Sequence, residues 1–340
     1  MPTENRVAFV TAVEPVGAMQ TQILLMAESL RRWGGRLADA PILCVSPRFH
    51  LPLQRSILAR FDELGITHID RNQNHQLSWY RFINKPLALI EARQATDAEN
   101  LVWLDADVLV LDEPDSFLET NSDFAAIFTG GDMATTSLSH PLNAYWRETC
   151  GRLGLELEEL PWVEADGRRV RYCIQAGVFR IRRRSPVVDH YLGNLEALMD
   201  SRVVPSVHGL FYHETMALTL APFTSGSSWS ELPRSHNLVI SGVSEDGQIK
   251  GLESARILHY QAGFFSATRN ELLSALGRCR PDRLAWLEER ISAIDPSRTP
   301  PLLRLLRRGL AEFRRQKARR FLAGCQRIDN GRAESGALGR

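Results

Sequence analysis

Residues 7–13 form an apolar run rich in β-branched side chains, and residues 17–33 follow with helical periodicity, placing Ile23, Leu24, Ala27 and Leu30 on one face. The pattern predicts a strand, a loop and a helix. A second apolar run at 41–45 precedes a helix-like stretch at 51–64 and a third short strand at 66–69. This alternation indicates an α/β layer with a mostly parallel sheet. Residues 81–94 read as a helix with Pro86 in its first turn, where a missing N–H costs little. Residues 101–104 are almost wholly apolar, which suits a strand buried on both faces.

The second half is less regular. Residues 123–128, 172–181 and 257–260 read as strands, and 186–199 and 213–220 as helices, while 224–230 carry turn chemistry and 129–161 form an irregular region. From Pro281 onward, helices are joined by breaks at Pro296, Pro300 and Pro301, and the chain ends in a Gly, Ala and Arg tail. The organisation expected is one domain over 1–280, with a first half at about 1–120 and a second half at about 121–280. A helical extension follows at 281–325, then a disordered tail at 326–340.

Composition narrows the partners. A chain of 340 residues with 44% hydrophobic content can bury a sizeable core, and a formal net charge of +1 gives no global signal for nucleic acid. Five scattered cysteines (Cys44, Cys150, Cys173, Cys279, Cys325) show no metal-type pairing and fit a reducing compartment. The chain opens Met1-Pro2-Thr3-Glu4-Asn5-Arg6 rather than with a basic and then apolar run, and no stretch approaches the roughly 20 apolar residues of a membrane span. The expectation is a cytoplasmic protein.

The most informative stretch runs Leu101-Val102-Trp103-Leu104-Asp105-Ala106-Asp107-Val108-Leu109. Two carboxylates interrupt an apolar run, and burying them unpaired costs several kcal/mol, so they need a cation, a partner or an exit to solvent. The carboxyl end of a strand is where open α/β sheets bind ligands. Residues two apart on an extended strand point the same way, so Asp105 and Asp107 can address one hard cation, Mg²⁺ or Mn²⁺. An Asp-containing turn after a strand is the plainer alternative.

In order along the first 265 residues or so, further segments resemble the glycogenin-like and bacterial galactosyltransferase-like families of GT-A glycosyltransferases. The first strand, ending Thr11-Ala12-Val13, is similar to the family's nucleotide-binding strand and loop. Asn84-Lys85-Pro86-Leu87 precedes the acidic pair as the family's basic residue does. Ile174-Gln175-Ala176-Gly177-Val178-Phe179 resembles an Asn-Ala-Gly-Val-Phe segment, with Gln175 in place of the Asn. His213-Glu214-Thr215 resembles the family's Asp-Gln helix start, but with Thr215 where some retaining members carry glutamine. Leu232-Pro233 to His236-Asn237 and Ile257-Leu258-His259-Tyr260 match later segments, whereas the family's basic sequel is absent and leaves Arg269 as a phosphate partner.

The resemblance implies a GT-A (Rossmann-like) α/β fold, with a mixed, mostly parallel central sheet flanked by helices and a helical C-terminal extension. It implies a hexosyltransferase-type enzyme, retaining, that moves sugar from a nucleoside diphosphate-sugar, UDP-sugar favoured, to a saccharide, lipid-linked or protein acceptor. It also implies Mn²⁺ or Mg²⁺ on Asp105, Asp107 and His259. Donor contacts are expected from Thr11, Ala12, Val13, Lys85, Ala106, Gly177 and Arg269 as well as the acidic pair. Glu214 is expected to orient or deprotonate the acceptor hydroxyl, and Gln175 to hydrogen-bond the sugar. No nucleic-acid partner is expected. Two alternatives remain open: a haloacid-dehalogenase-like phosphohydrolase with Asp105 as nucleophile, and a catalytically silent nucleotide-sugar binding protein.

Residues 302–322 combine six leucines, Phe313 and Phe321 with eight Arg and Lys residues, and Glu312 is the single acid. The two readings are a helix lying on an anionic membrane at the inner face, and a helix packed on the domain with a solvated basic face.

Overall fold

The computed structural model describes residues 6–16, 18–131, 133–206, 209–240, 248–261, 263–265, 269–292, 301–329 and 332–334. The first third alternates as its apolar periodicity requires: β1 (Val7–Ala12), α1 (Met19–Trp33), β2 (Ile42–Arg48), α2 (Arg55–Glu63), β3 (Ile66–Gln73), α3 (Asn84–Ala95) and β4 (Asn100–Leu104). Then come β5 (Val108–Val110), α4 (Ser116–Glu119), β6 (Phe124–Phe128), α5 (Asn143–Arg152), β7 (Trp162–Ala165), β8 (Arg168–Arg171), β9 (Ile174–Arg182) and α6 (Val187–Ser201). The remainder comprises β10 (Val203–Pro205), α7 (His213–Thr224), β11 (Trp229–Glu231), β12 (Leu238–Val239), β13 (Ile257–His259), α8 (Arg269–Cys279), α9 (Pro281–Ser292), α10 (Pro301–Ala323), β14 (Gln326–Asp329) and β15 (Arg332–Glu334).

The central sheet has seven strands in the order β11-β6-β9-β4-β1-β2-β3. Strands β4, β1, β2 and β3 run parallel, and β9 is the antiparallel member between β4 and β6. The mixed, mostly parallel α/β sheet flanked by helices is the class expected from sequence. Strand β1 shows why both faces need cover. Ala8, Val10 and Ala12 enter one apolar cluster with α3, α6 and α7, while Val7 and Phe9 enter another with α1 and α2. The chain leaves β1 for β2 on one side and reaches β4 on the other, so the crevice at the carboxyl ends of β1 and β4 is a topological switch point, where such sheets bind ligands.

A second sheet, β12-β13-β5, crosses this edge. It corrects one expectation. Asp105 and Asp107 do not ride on one extended strand: β4 stops at Leu104, the acidic pair occupies the turn, and β5 departs at Val108 to pair with β13. Ending the strand lets both carboxylates reach partly exposed positions instead of the two-sided apolar interior.

Other boundaries shift for local reasons. Helix α2 starts only at Arg55, after Pro52, and α7 continues through Pro222 to Thr224 because Leu218, Leu220 and Ala221 are buried along it. The irregular region at 129–161 contains α5, whose Tyr145 and Trp146 are core residues. Helix α9, placed with the extension at 281–325, packs with α8 in a third cluster, and Trp286 meets Trp33 edge-on at 4.9 Å.

The tail at 326–340 is not disordered throughout. Strand β14 pairs in parallel with β10 and antiparallel with β15, and Ile328 packs on the main core. Pairing with an open strand edge orders this segment, which composition does not encode. Gly17, Pro296, Pro300 and residues 335–340 lie outside the described residues. Helix α10 docks along one face: Arg314 donates to Glu14 Oε2 at 2.9 Å, and Phe321 lies 5.1 Å from Trp79. No helix among the described residues is long and apolar enough to cross a membrane.

Candidate functional site

The site is assembled at the end of β4. The Trp103 indole, two residues back and on the same side, donates to Asp105 Oδ1 at 2.7 Å, and the Asp105 N–H donates to the Gly177 carbonyl at 2.9 Å. The first turn of α3 projects Lys85, whose Nζ donates to the Ala176 carbonyl at 2.8 Å and stands 3.1 Å from Asp105 Oδ1 and 3.7 Å from Glu214 Oε1. Lys85 is buried. Burial opposes its charge, but Asp105 and then Glu214 override that penalty and raise its pKa, so it is an ammonium at neutral pH.

His259 arrives from the second sheet. The β13–β5 register sets it opposite Val108, and the neighbouring Tyr260 N–H donates to the Asp107 carbonyl at 3.1 Å. Asn237 Oδ1 accepts from Nδ1 at 3.1 Å, which turns Nε2 toward Asp107 Oδ1 at 3.3 Å and Asp105 Oδ2 at 4.0 Å. Burial would lower the His259 pKa, but the hydrogen bond and charge of Asp107 raise it. The same contact outweighs the burial that would lift Asp107, whose pKa is lowered.

One ligand atom from each of Asp105, Asp107 and His259 lies within 4.8 Å of the others, a span that one cation can bridge with modest closure. Two carboxylate oxygens and an imidazole nitrogen suit Mn²⁺ or Mg²⁺. With Nδ1–H held by Asn237, displacement of the Nε2 proton by a cation would present the Nε2 lone pair to it, the usual outer-shell arrangement for a ligating histidine. The donor set therefore fits the group expected.

Gly177 has a steric reason of its own. A Cβ there would overlap the His259 ring, so this glycine makes room for the imidazole. From sequence it was expected to let backbone approach a sugar.

The chain matches the model of the Rhodobacterales glycosyltransferase domain over residues 10–226. It belongs to that glycosyltransferase family. No curated protein matches it. Among solved structures it is similar to the apo WbbM bifunctional glycosyltransferase, with a TM-score of 0.48 and 11% identity, covering 85% of this chain and 52% of that one. The chain thus spans about half of that relative's length. It is also similar to the galactosyltransferase LgtC in complex with donor and acceptor sugar analogues (TM-score 0.45, 14% identity, covering 87% and 99%). A third similar structure is the glycosyltransferase GlyE of Streptococcus pneumoniae TIGR4 (TM-score 0.45, 15% identity, covering 87% and 66%).

In this glycosyltransferase the cluster joins Lys85, Asp105, Asp107, Gly177, Glu214 and His259, with Ala106 in the turn between the acids. Gln175 lies two residues before Gly177 on β9, on the same face and half-buried. Thr11, Ala12 and Val13 are buried, and the Val13 N–H donates to the Val45 carbonyl at 2.9 Å. Arg269 opens α8, and no described contact joins it to the cluster. Glu214 sits one layer deeper than expected for a group meeting an acceptor. It is 2% exposed and accepts a short hydrogen bond from the Tyr191 hydroxyl, and its pKa is raised by burial against the pull of Lys85 and Tyr191.

Sequence reasoning missed several supports. Tyr191 and Tyr80 hold Glu214, the latter by accepting its N–H at 3.3 Å, and nothing in their spacing marks them. Trp103 was legible in principle as the residue alternating with Asp105. A buried hub around Glu14, joined by Arg48, Asn84 and Arg314, was also missed because its members lie far apart in sequence.

Proposed function

We propose that the chain transfers a hexosyl group from a nucleoside diphosphate-sugar, UDP-sugar favoured, to a saccharide, lipid-linked or protein acceptor, with retention at the anomeric carbon. The convergence of Asp105, Asp107 and His259 carries this reading. Mn²⁺ or Mg²⁺ held there would supply Lewis-acid stabilisation of the diphosphate leaving group. Lys85 holds a fixed positive charge beside Asp105, where negative charge grows on the leaving phosphate as the anomeric bond breaks, and so it favours the transition state over the ground state. Glu214 and Tyr191 keep the ammonium in place from behind. Gln175 offers an amide to the sugar hydroxyls from the same strand face as Gly177.

Retention is supported by the burial of Glu214. An inverting transfer needs a base that reaches the acceptor hydroxyl, and this carboxylate is sequestered under Lys85 and Tyr191. Membership of a glycosyltransferase family sets aside the phosphohydrolase reading. Five unbridged cysteines support a reducing, cytoplasmic setting.

Donor hydrolysis with UDP-sugars, with and without Mn²⁺, tests the reading. Release of UDP that needs the ion and is lost in Asp107→Ala with the fold intact is expected. Undiminished release by that variant would overturn the cation assignment, and no release from any nucleoside diphosphate-sugar would leave a silent binding protein. The anomeric configuration of the product, read by NMR, decides retention.

A further inference from the structure

We infer that the outward face of α10 is a docking surface for an anionic phospholipid bilayer. The inward face of this helix is already used. Arg314 reaches Glu14 and the Phe49 carbonyl, Phe321 packs on Trp79 and lies under the Arg202 guanidinium, and Leu322 joins the main core. These contacts fix the helix's rotation, and with it the residues that face away.

Four of those residues are large and apolar. Leu302, Leu305, Leu306 and Phe313 are 68%, 65%, 47% and 54% exposed. Their spacing places 302, 306 and 313 along one line of the helix, with 305 beside it. They make up half of the large hydrophobic side chains that stand exposed among the described residues. Phe49, 47% exposed, extends the patch, since it lines with Phe313 a cavity of about 130 Å³ between α10 and the loop after β3. A contiguous apolar strip of this kind marks an interaction surface rather than ordinary solvent-facing helix.

Charge identifies the occupant. Between 302 and 322 the helix carries eight Arg and Lys residues against the single acid Glu312. Arg308, Arg315 and Arg319 follow one edge of the leucine strip, while Lys317 lies over the Phe313 ring at 5.0 Å. A second copy of this helix would bring like charges together and is repelled. A nucleic acid would satisfy the cations but leave the leucines in water. An anionic bilayer meets both demands, with leucine and phenylalanine in the acyl boundary and the long cationic side chains reaching up to phosphate. The surface is independent of the donor and metal reading, because no residue on it belongs to the cluster around Asp105.

Co-sedimentation of the full chain with phosphatidylcholine vesicles, with and without phosphatidylglycerol, tests the inference. Binding to the anionic vesicles at least about tenfold tighter than to neutral ones, and weakened by salt, is expected. Leu305→Glu with Phe313→Glu should reduce that binding about tenfold or more at unchanged far-UV circular dichroism and melting temperature, since both side chains are solvent-facing. Arg308→Glu with Arg319→Glu should do the same. Equal partition onto neutral and anionic vesicles, or wild-type binding by either double variant, would overturn the proposal. So would absence of vesicle binding accompanied by a dimer, seen by light scattering, that the Leu305 and Phe313 changes dissolve.

Discussion

Asn237 and His259 form a 3.1 Å hydrogen bond that fixes which imidazole nitrogen faces the carboxylates. With Nδ1 as the donor, Nε2 is the nitrogen available to a cation, and an Asn237→Ala change frees the ring to rotate. Outer-shell losses of this sort weaken metal affinity about 10- to 100-fold. Isothermal titration of Mn²⁺ into the variant should read that loss, with little change in the circular dichroism spectrum. Affinity equal to that of the unaltered chain would mean that the ring is oriented by other contacts.

Gly177 and His259 compete for one volume. Gly177→Ala should destabilise the fold by about 1–3 kcal/mol through overpacking and also weaken Mn²⁺ binding. A double-mutant cycle isolates the cause. In the His259→Ala background the ring is gone, so the same alanine should cost much less. Equal costs in both backgrounds, measured by denaturant unfolding, would contradict the steric account.

His213 predicts a pH dependence away from the cleft. Its Nε2–H donates to the Val203 carbonyl at 2.9 Å, while buried Nδ1 has no partner among the described residues. Burial lowers its pKa from 6.5 to about 4. The unfolded chain then binds a proton that the folded one refuses, so the stabilising contribution is full above pH 6.5 and is lost as pH falls toward 4. The effect is of order 3 kcal/mol at most. Urea unfolding across that range should show a shallower slope in His213→Gln than in the unaltered chain, and parallel slopes would exclude His213 as the titrating group.

The hub at Glu14 predicts an order of damage. The buried Glu14 carboxyl is held below its usual range: burial would raise it, but Arg48 and then Arg314 win. Removing Arg314 leaves the Arg48 and Asn84 contacts, so Arg314→Ala should cost about 1–3 kcal/mol and increase amide exchange mainly along α10. Arg48→Ala strips the deeper partner and should cost about 3–5 kcal/mol. Thermal unfolding of the two variants compares them, and the reverse order would refute the assignment of Arg48 as the principal partner.

The parts of this molecule that could be read from sequence are those set by local pattern. The β-α alternation through β4 was visible because each element buries its own periodic face. The acidic pair stood out because carboxylates in an apolar run demand a physical reason. Placement of Lys85 and His259 followed from family resemblance, not from periodicity. What stayed hidden depends on contacts between distant segments. Tyr191 reaches Glu214 only because α6 packs on α7, β5 is too short to be recognised without its partner β13, and β14 exists through an edge that β10 supplies. Burial of Glu214 was equally illegible, since a helix-start carboxylate looks the same in sequence whether it faces solvent or the interior.

The pairing of β13 with β5 also has a kinetic meaning. Asp107 and His259 become neighbours only when two short strands from distant parts of the chain close in one alignment, and a slip of one position would turn the imidazole to the opposite side. A cation-binding site built this way would be withheld from partly folded forms. A cation held there would act as a latch that favours the completed topology over its near-misses, so any uptake of Mn²⁺ during refolding should track the slowest long-range closure and not the early formation of helices.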